Sequence, residues 1–153
     1  MRSVERVGLS LGVSVLALAV VSVADAALAF RFSRVVARPG VPVTAFELGW
    51  YGPPRGIVVY LVPTRLPGVS PPPGYGYVLS HVPTHNVIKL GRPTLSQSHR
   101  LFVRFRVPNV APGYYTTAFW CGTCTRRGDF FASAVWGATP AEAAPGTVLR
   151  VTR

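Results

Sequence analysis

Hydrophobic and polar positions along the chain alternate in short runs, separated by proline and glycine, with no sustained helical period. The clearest run is Arg100 to Val107. Leu101, Val103, Phe105 and Val107 point one way, and Arg100, Arg104 and Arg106 the other, as in a half-buried antiparallel strand with a cationic outer row. Ile57 to Val62 (I-V-V-Y-L-V) is apolar throughout, the pattern of a central strand covered on both faces. Pro112-Gly113 sets a turn, after which Tyr114 to Trp120 form a strand. Tyr115, Thr117 and Phe119 share one of its faces, and Tyr114, Thr116, Ala118 and Trp120 the other. Asp129 to Trp136 pairs with it as a hairpin. Phe30 to Val36, Val41 to Leu48 and Thr147 to Thr152 supply further strands, with weaker ones at Tyr75 to Val82 and Asn86 to Leu90. Pro67 to Gly76 cannot hold a ladder, because three consecutive prolines donate no N–H groups. Thr139-Pro140-Ala141-Glu142 carries a capping box that Pro145-Gly146 ends after one turn. The fold class expected is all-β, an antiparallel sandwich of about seven strands.

Residues 1–29 stand apart from this pattern. Arg2 and Arg6 precede an apolar run from Val7 to Val23, followed by Ala24-Asp25-Ala26 and Ala27-Leu28-Ala29. A basic start, an apolar centre and small-residue cleavage sites make a secretory signal peptide, cut after Ala26 or Ala29. The alternative is an uncleaved N-terminal helix anchoring the chain, since the run approaches spanning length. The expected division is a leader over 1–29 and one sandwich domain over 30–153, placed outside the cell or in its envelope.

Charge sharpens the picture. The net charge is +11. In the leader, two arginines balance Glu5 and Asp25, so the excess falls on the domain, where Glu47, Asp129 and Glu142 are the only acids. Such a domain attracts anionic surfaces. Nucleic acid is not expected in that compartment, which leaves anionic envelope polymers or lipid headgroups. Arg100, Arg104 and Arg106, with Arg126 and Arg127 in the loop after the cysteines, are the candidate contacts. A compositional bias towards arginine, solvated and without a partner, would give the same total.

Two stretches also resemble a known family. P-G-x-x-V at Pro39 to Val43 and V-P-x-x-x-P-G-x-Y at Val107 to Tyr115 are similar to turns of exported bacterial immunoglobulin-like and fibronectin-III-like domains. The resemblance covers most of residues 30–153. It implies that Tyr115 is a corner tyrosine whose hydroxyl bonds backbone a few residues upstream. The chain departs from antibody domains in lacking their inter-sheet cysteine pair. The resemblance implies adhesion, wall binding or scaffolding rather than a reaction.

Candidate chemistry gathers at Trp120-Cys121-Gly122-Thr123-Cys124. W-C-x-x-C is a thioredoxin active-site pattern, yet only 29 residues follow Cys124, too few for the helix, strands and final helix such a domain needs. A structural disulfide between Cys121 and Cys124 is the expected state in an oxidising compartment. Residues three apart on a flat strand lie about 10 Å apart, so the bridge requires a turn, which Gly122 permits. The rival is an extracytoplasmic metal-binding or thiol-redox protein, with a zinc or copper site formed by Cys121 and Cys124 with His81 and His85, and His99 as a third imidazole. Pro83 prevents a regular helix from aligning the two histidines. Ser80 adjoins His81, but neighbours on a strand point to opposite faces, and no nucleophile motif or carboxylate pair is present. No catalytic residue and no cofactor are assigned.

Overall fold

The computed structural model describes residues 30–48, 56–70, 78–98, 100–123, 128–134 and 136–153. The leader, the aromatic loop 49–55, His99, Cys124, Arg126 and Arg127 lie outside the described residues, as does most of the proline-rich connection. The described residues contain strands and turns and no helix.

Eleven strand segments are present: β1 Arg31–Phe32, β2 Val36–Ala37, β3 Pro42–Leu48, β4 Ile57–Pro63, β5 Val78–Leu79, β6 Ile88–Gly91, β7 Thr94–Leu95, β8 Arg100–Arg106, β9 Gly113–Cys121, β10 Asp129–Ala132 and β11 Leu149–Val151. One sheet has the order β1-β3-β8-β7, all antiparallel. β9 is the axis of the other. β4 runs along one side of it, from Ile57 opposite Cys121 to Pro63 opposite Tyr115, and β6 lies beyond β4. Two strands share the other side. β11 pairs with Gly113 to Tyr115 and β10 with Ala118 to Cys121, extended by β2 and β5 respectively. The sheet does not close into a barrel.

Alternation places the core. Phe30, Phe32, Val43, Ala45, Leu101 and Val103 of the four-stranded sheet meet Ile57, Val59, Leu61, Tyr115, Phe119, Leu149 and Val151 of the other in one buried cluster. The remaining positions of β4 and β9 face outward from the second sheet but are also covered. Val62 and Ala118 are buried there with Leu66, Phe130 and Ala132, and Tyr60, Val69, Leu79, Val82, Trp120 and Trp136 pack against them. This second layer is why Ile57 to Val62 is apolar at every position, as a strand covered on both faces must be.

Four expectations need correction. The first strand is two: β1 joins the four-stranded sheet, and β2, three residues on, joins the second one. The pairing of β2 with β11 is parallel, so the architecture is not wholly antiparallel. The hairpin strand after the cysteines stops at Ala132 rather than Trp136, because the described residues 133–134 and 136–148 lie outside the strands before β11 resumes the edge. At that break Ser133 N–H donates to the Thr117 carbonyl at 2.7 Å and the Thr116 hydroxyl to the Thr147 carbonyl at 2.9 Å, which keeps the interrupted edge hydrogen-bonded. The fourth correction is β7, an edge strand with no alternation to reveal it. The Thr139 capping box forms, with Thr139 N–H donating to the Glu142 carboxylate at 3.0 Å, and produces a single turn.

Turn chemistry sets the ends of β3 and β8. Gly40 has φ of 82°, the left-handed region, and its N–H donates to the Val107 carbonyl at 2.8 Å. Val107 N–H returns a bond to Val41 at 3.0 Å, so the Arg38-Pro39-Gly40 turn is pinned to the end of β8.

Candidate anion-binding face

Strand β8 lies between β3 and β7, with Leu101 and Val103 buried beneath it and Arg100, Arg104 and Arg106 exposed above. Register across the β3–β8 ladder opposes Arg100 to Leu48, Phe102 to Phe46, Arg104 to Thr44 and Arg106 to Pro42. β1 adds Arg31, exposed and opposite Phe46. The outer face of this sheet therefore carries four cations around two half-buried phenylalanines. The Arg104 guanidinium sits 5.4 Å from the centroid of the Phe102 ring, which restrains its stem. Arg106 donates from Nη1 to the Gly40 carbonyl at 2.9 Å, which fixes its direction and leaves its other donors available.

An open groove of about 680 Å³ crosses this face, lined by Ser33, Arg34, Pro42, Val43, Thr44, Arg104, Phe105 and Arg106. The Ser33 hydroxyl accepts the Thr44 N–H at 3.0 Å, which draws the β1–β2 crossing segment onto β3 and brings Arg34 alongside Arg104 and Arg106. Strand alternation had no means of finding Arg34, because it lies about seventy residues from β8 on the stretch where the chain changes sheets. The lining contains no acid. Glu47 is buried on the inner side of β3, Asp129 is on β10 in the second sheet, and Glu142 is held by Thr139. The two hydrogen bonds from the Thr139 backbone and hydroxyl depress the Glu142 pKa, with a smaller contribution from Arg65.

Tyr115 lies on the inner face of β9, 9 % exposed, and its hydroxyl donates to the Ala111 carbonyl at 2.8 Å. Burial raises its pKa. On the outer side of the turn, Tyr114 is 38 % exposed and borders two smaller grooves, one lined by Arg65 and the other by Arg150 and Arg153. The amino-acid order does not announce this second aromatic and cationic spot, since Arg65 and the Arg150–Arg153 stretch lie far apart in the chain.

Cys121 is buried between the sheets, opposite Ile57 on one side and Asp129 on the other. His81 and His85 line a different cavity with Leu66, Val69 and Leu79, residues of the layer on the opposite face of that sheet. The rival metal set is thus divided by a sheet as far as its described members go. Among the described residues no three of His, Cys, Asp and Glu come together.

Comparison with protein families, curated proteins and solved structures finds no significant match.

Proposed function

We propose that the chain is an exported, non-enzymatic binding protein of the cell envelope whose immunoglobulin-like sandwich offers an arginine-rich sheet face to an anionic polymer. The observation that carries this reading is the contrast between the two outer faces. The second sheet is covered on its outer side by the chain's own Leu66, Val69, Leu79, Val82, Val87 and Trp136. Among the described residues nothing covers the outer side of the four-stranded sheet, which bears Arg31, Arg100, Arg104 and Arg106 exposed. None of the three acids is on this outer face: Glu47 is turned inward on β3, Asp129 lies in the second sheet and Glu142 is held by Thr139, so the surface of the face is cationic.

Strand order supports the immunoglobulin-like assignment. β1-β3-β8-β7 corresponds to the A-B-E-D sheet of that fold, and β6-β4-β9 followed by β10 and β11 to the C′-C-F-G sheet. The Tyr115 hydroxyl bonded to Ala111, four residues upstream and near the start of the strand in the F position, matches a tyrosine corner. In this reading the G strand is split into β10 and β11 by the excursion over residues 133–148. The Cys121–Cys124 disulfide belongs to the same reading, supported by the lack of a free thiol at Cys121. On the chain-entropy estimate so short a loop contributes roughly 2 kcal/mol.

The test is retention of purified residues 30–153 on anionic envelope polymer as salt is raised. Exposed charges are screened beyond about 8 Å at physiological ionic strength, so retention should fall steeply with salt. Replacing Arg100, Arg104 and Arg106 together by Gln should abolish retention while the β-sheet circular dichroism is kept. Salt-insensitive retention, or none by the unaltered protein, removes the reading.

A further inference from the structure

The geometry points to the groove between β1, β3 and β8 as a subsite for the phosphate of a phosphodiester or polyphosphate chain, with Arg34, Arg104 and Arg106 as its clamp. This rests on the proposed role of the arginine face and names its ligand class. Three observations select phosphate. Side-chain polar groups of the lining come from Arg34, Arg104 and Arg106 and the hydroxyls of Ser33 and Thr44, so the groove is rich in donors and holds no carboxylate to compete with a ligand. Guanidinium presents parallel N–H bonds that match two oxygens of a tetrahedral phosphate, and three of them can share its remaining lone pairs. Two of the three are already oriented, Arg106 by the Gly40 carbonyl and Arg104 by the Phe102 ring, so less side-chain entropy is lost on binding.

Shape selects a polymer over a bilayer. The groove is open and shallow, with lining from both β3 and β8, which suits a narrow chain laid across the two strands. A lipid headgroup layer would contact the exposed Arg31 and Arg100 as readily as the residues of the groove. A phosphate further along a bound chain would fall near Arg100, two alternate positions or about 13 Å from Arg104 on β8. The groove therefore reads as one subsite of a row.

Arg34 decides the matter, because it is exposed, lies on a crossing segment and contributes nothing to the strand pattern. Binding of residues 30–153 to inorganic polyphosphate and to polyglutamate of matched charge would be measured for the unaltered protein and for Arg34→Gln, Arg34→Lys and Arg38→Gln. Arg38 is four residues away, exposed and outside the groove lining, so its variant removes the same charge. Arg34→Gln should weaken polyphosphate binding about tenfold, the loss expected for a charge-assisted pair of bonds. Arg38→Gln should stay within about twofold, and Arg34→Lys should recover only part of the loss, because it restores charge without the fork. In parallel, inorganic phosphate titrated into ¹⁵N-labelled protein should shift the Nε–H signals of Arg34, Arg104 and Arg106 together, ahead of Arg150 and Arg153.

Equal losses for Arg34→Gln and Arg38→Gln, or equal binding of polyphosphate and polyglutamate, would overturn the groove while leaving the cationic face intact. Binding only to phosphatidylglycerol vesicles, with none to polyphosphate, would also overturn it in favour of a membrane surface. No salt-sensitive binding to any of these probes would remove the underlying reading as well.

Discussion

Single residues carry two sharply testable features. The Tyr115 hydroxyl bond to Ala111 joins the 108–112 turn to β9, so Tyr115→Phe should cost roughly 1–2 kcal/mol, measured as a lowered urea midpoint at unchanged slope. The same residue makes stability pH-dependent at the alkaline end. Its folded pKa is raised by burial, so its contribution is complete below the unfolded value of 10.0 and is lost as pH rises through the folded one. The phenylalanine variant should therefore show a shallower alkaline decline. Gly128 is the second feature. Its φ is 78°, and a Cβ there would clash with the edge of the Trp120 ring. Gly128→Ala combines a left-handed backbone with overpacking and should cost about 2–4 kcal/mol by thermal or urea unfolding. A neutral variant would mean that residue 128 does not hold that conformation. The Tyr115 bond is the one implied by the resemblance at Val107 to Tyr115, whereas Gly128 is visible in the amino-acid order only as a turn signal. A glycine's φ and its nearest ring are set by where the chain returns to the sheet.

At the scale of elements, what matters is which strands are covered on one face and which on two. Leu61 and Val62 are adjacent on β4 and point in opposite directions, yet both are fully buried, one between the sheets and one under the outer layer. Leu61→Ala should cost about 2–5 kcal/mol, and Val62→Ala about 1–3 kcal/mol for its smaller side chain. On β8, by contrast, Leu101→Ala should fall in the same range as Leu61→Ala, whereas Arg104→Ala should change stability by less than about 1 kcal/mol. Urea midpoints of the four variants check this directly. A Val62→Ala variant as stable as the parent would mean that Leu66, Phe130 and Ala132 do not bury Val62. The apolar run of Ile57 to Val62 and the alternation of Arg100 to Val107 announced these two kinds of strand, because burial is written into the side chains that must tolerate it. The division of the first strand was not legible in the same way. Val35 and Val36 read as strand interior, yet they are 43 % and 52 % exposed, at the edge where the chain has just changed sheets. An apolar residue specifies a preference for burial, and only the neighbouring strands decide whether burial is available.

For the whole molecule, export and charge are the properties that sequence addresses most directly. Expression in a secreting host should yield Ala27 or Phe30 as the mature N-terminus, with an intact mass two protons below the reduced value and no bound zinc or copper. Retained Met1 on membrane-bound protein would contradict the leader, and stoichiometric metal would favour the Cys121, Cys124, His81 and His85 alternative. The β class, the outward row of Arg100, Arg104 and Arg106, the two faces of β9 and the turn at Gly40 were determined by the sequence alone. Each depends on local steric preference or on period-two alternation, which act over a few residues. Tertiary structure decided the rest: the joining of Arg34 to Arg104 and Arg106, the split last strand, the roof over the second sheet, and the separation of Cys121 from the histidines. These are contacts between segments tens of residues apart, and they arise because burying two sheets against each other fixes which faces remain for solvent.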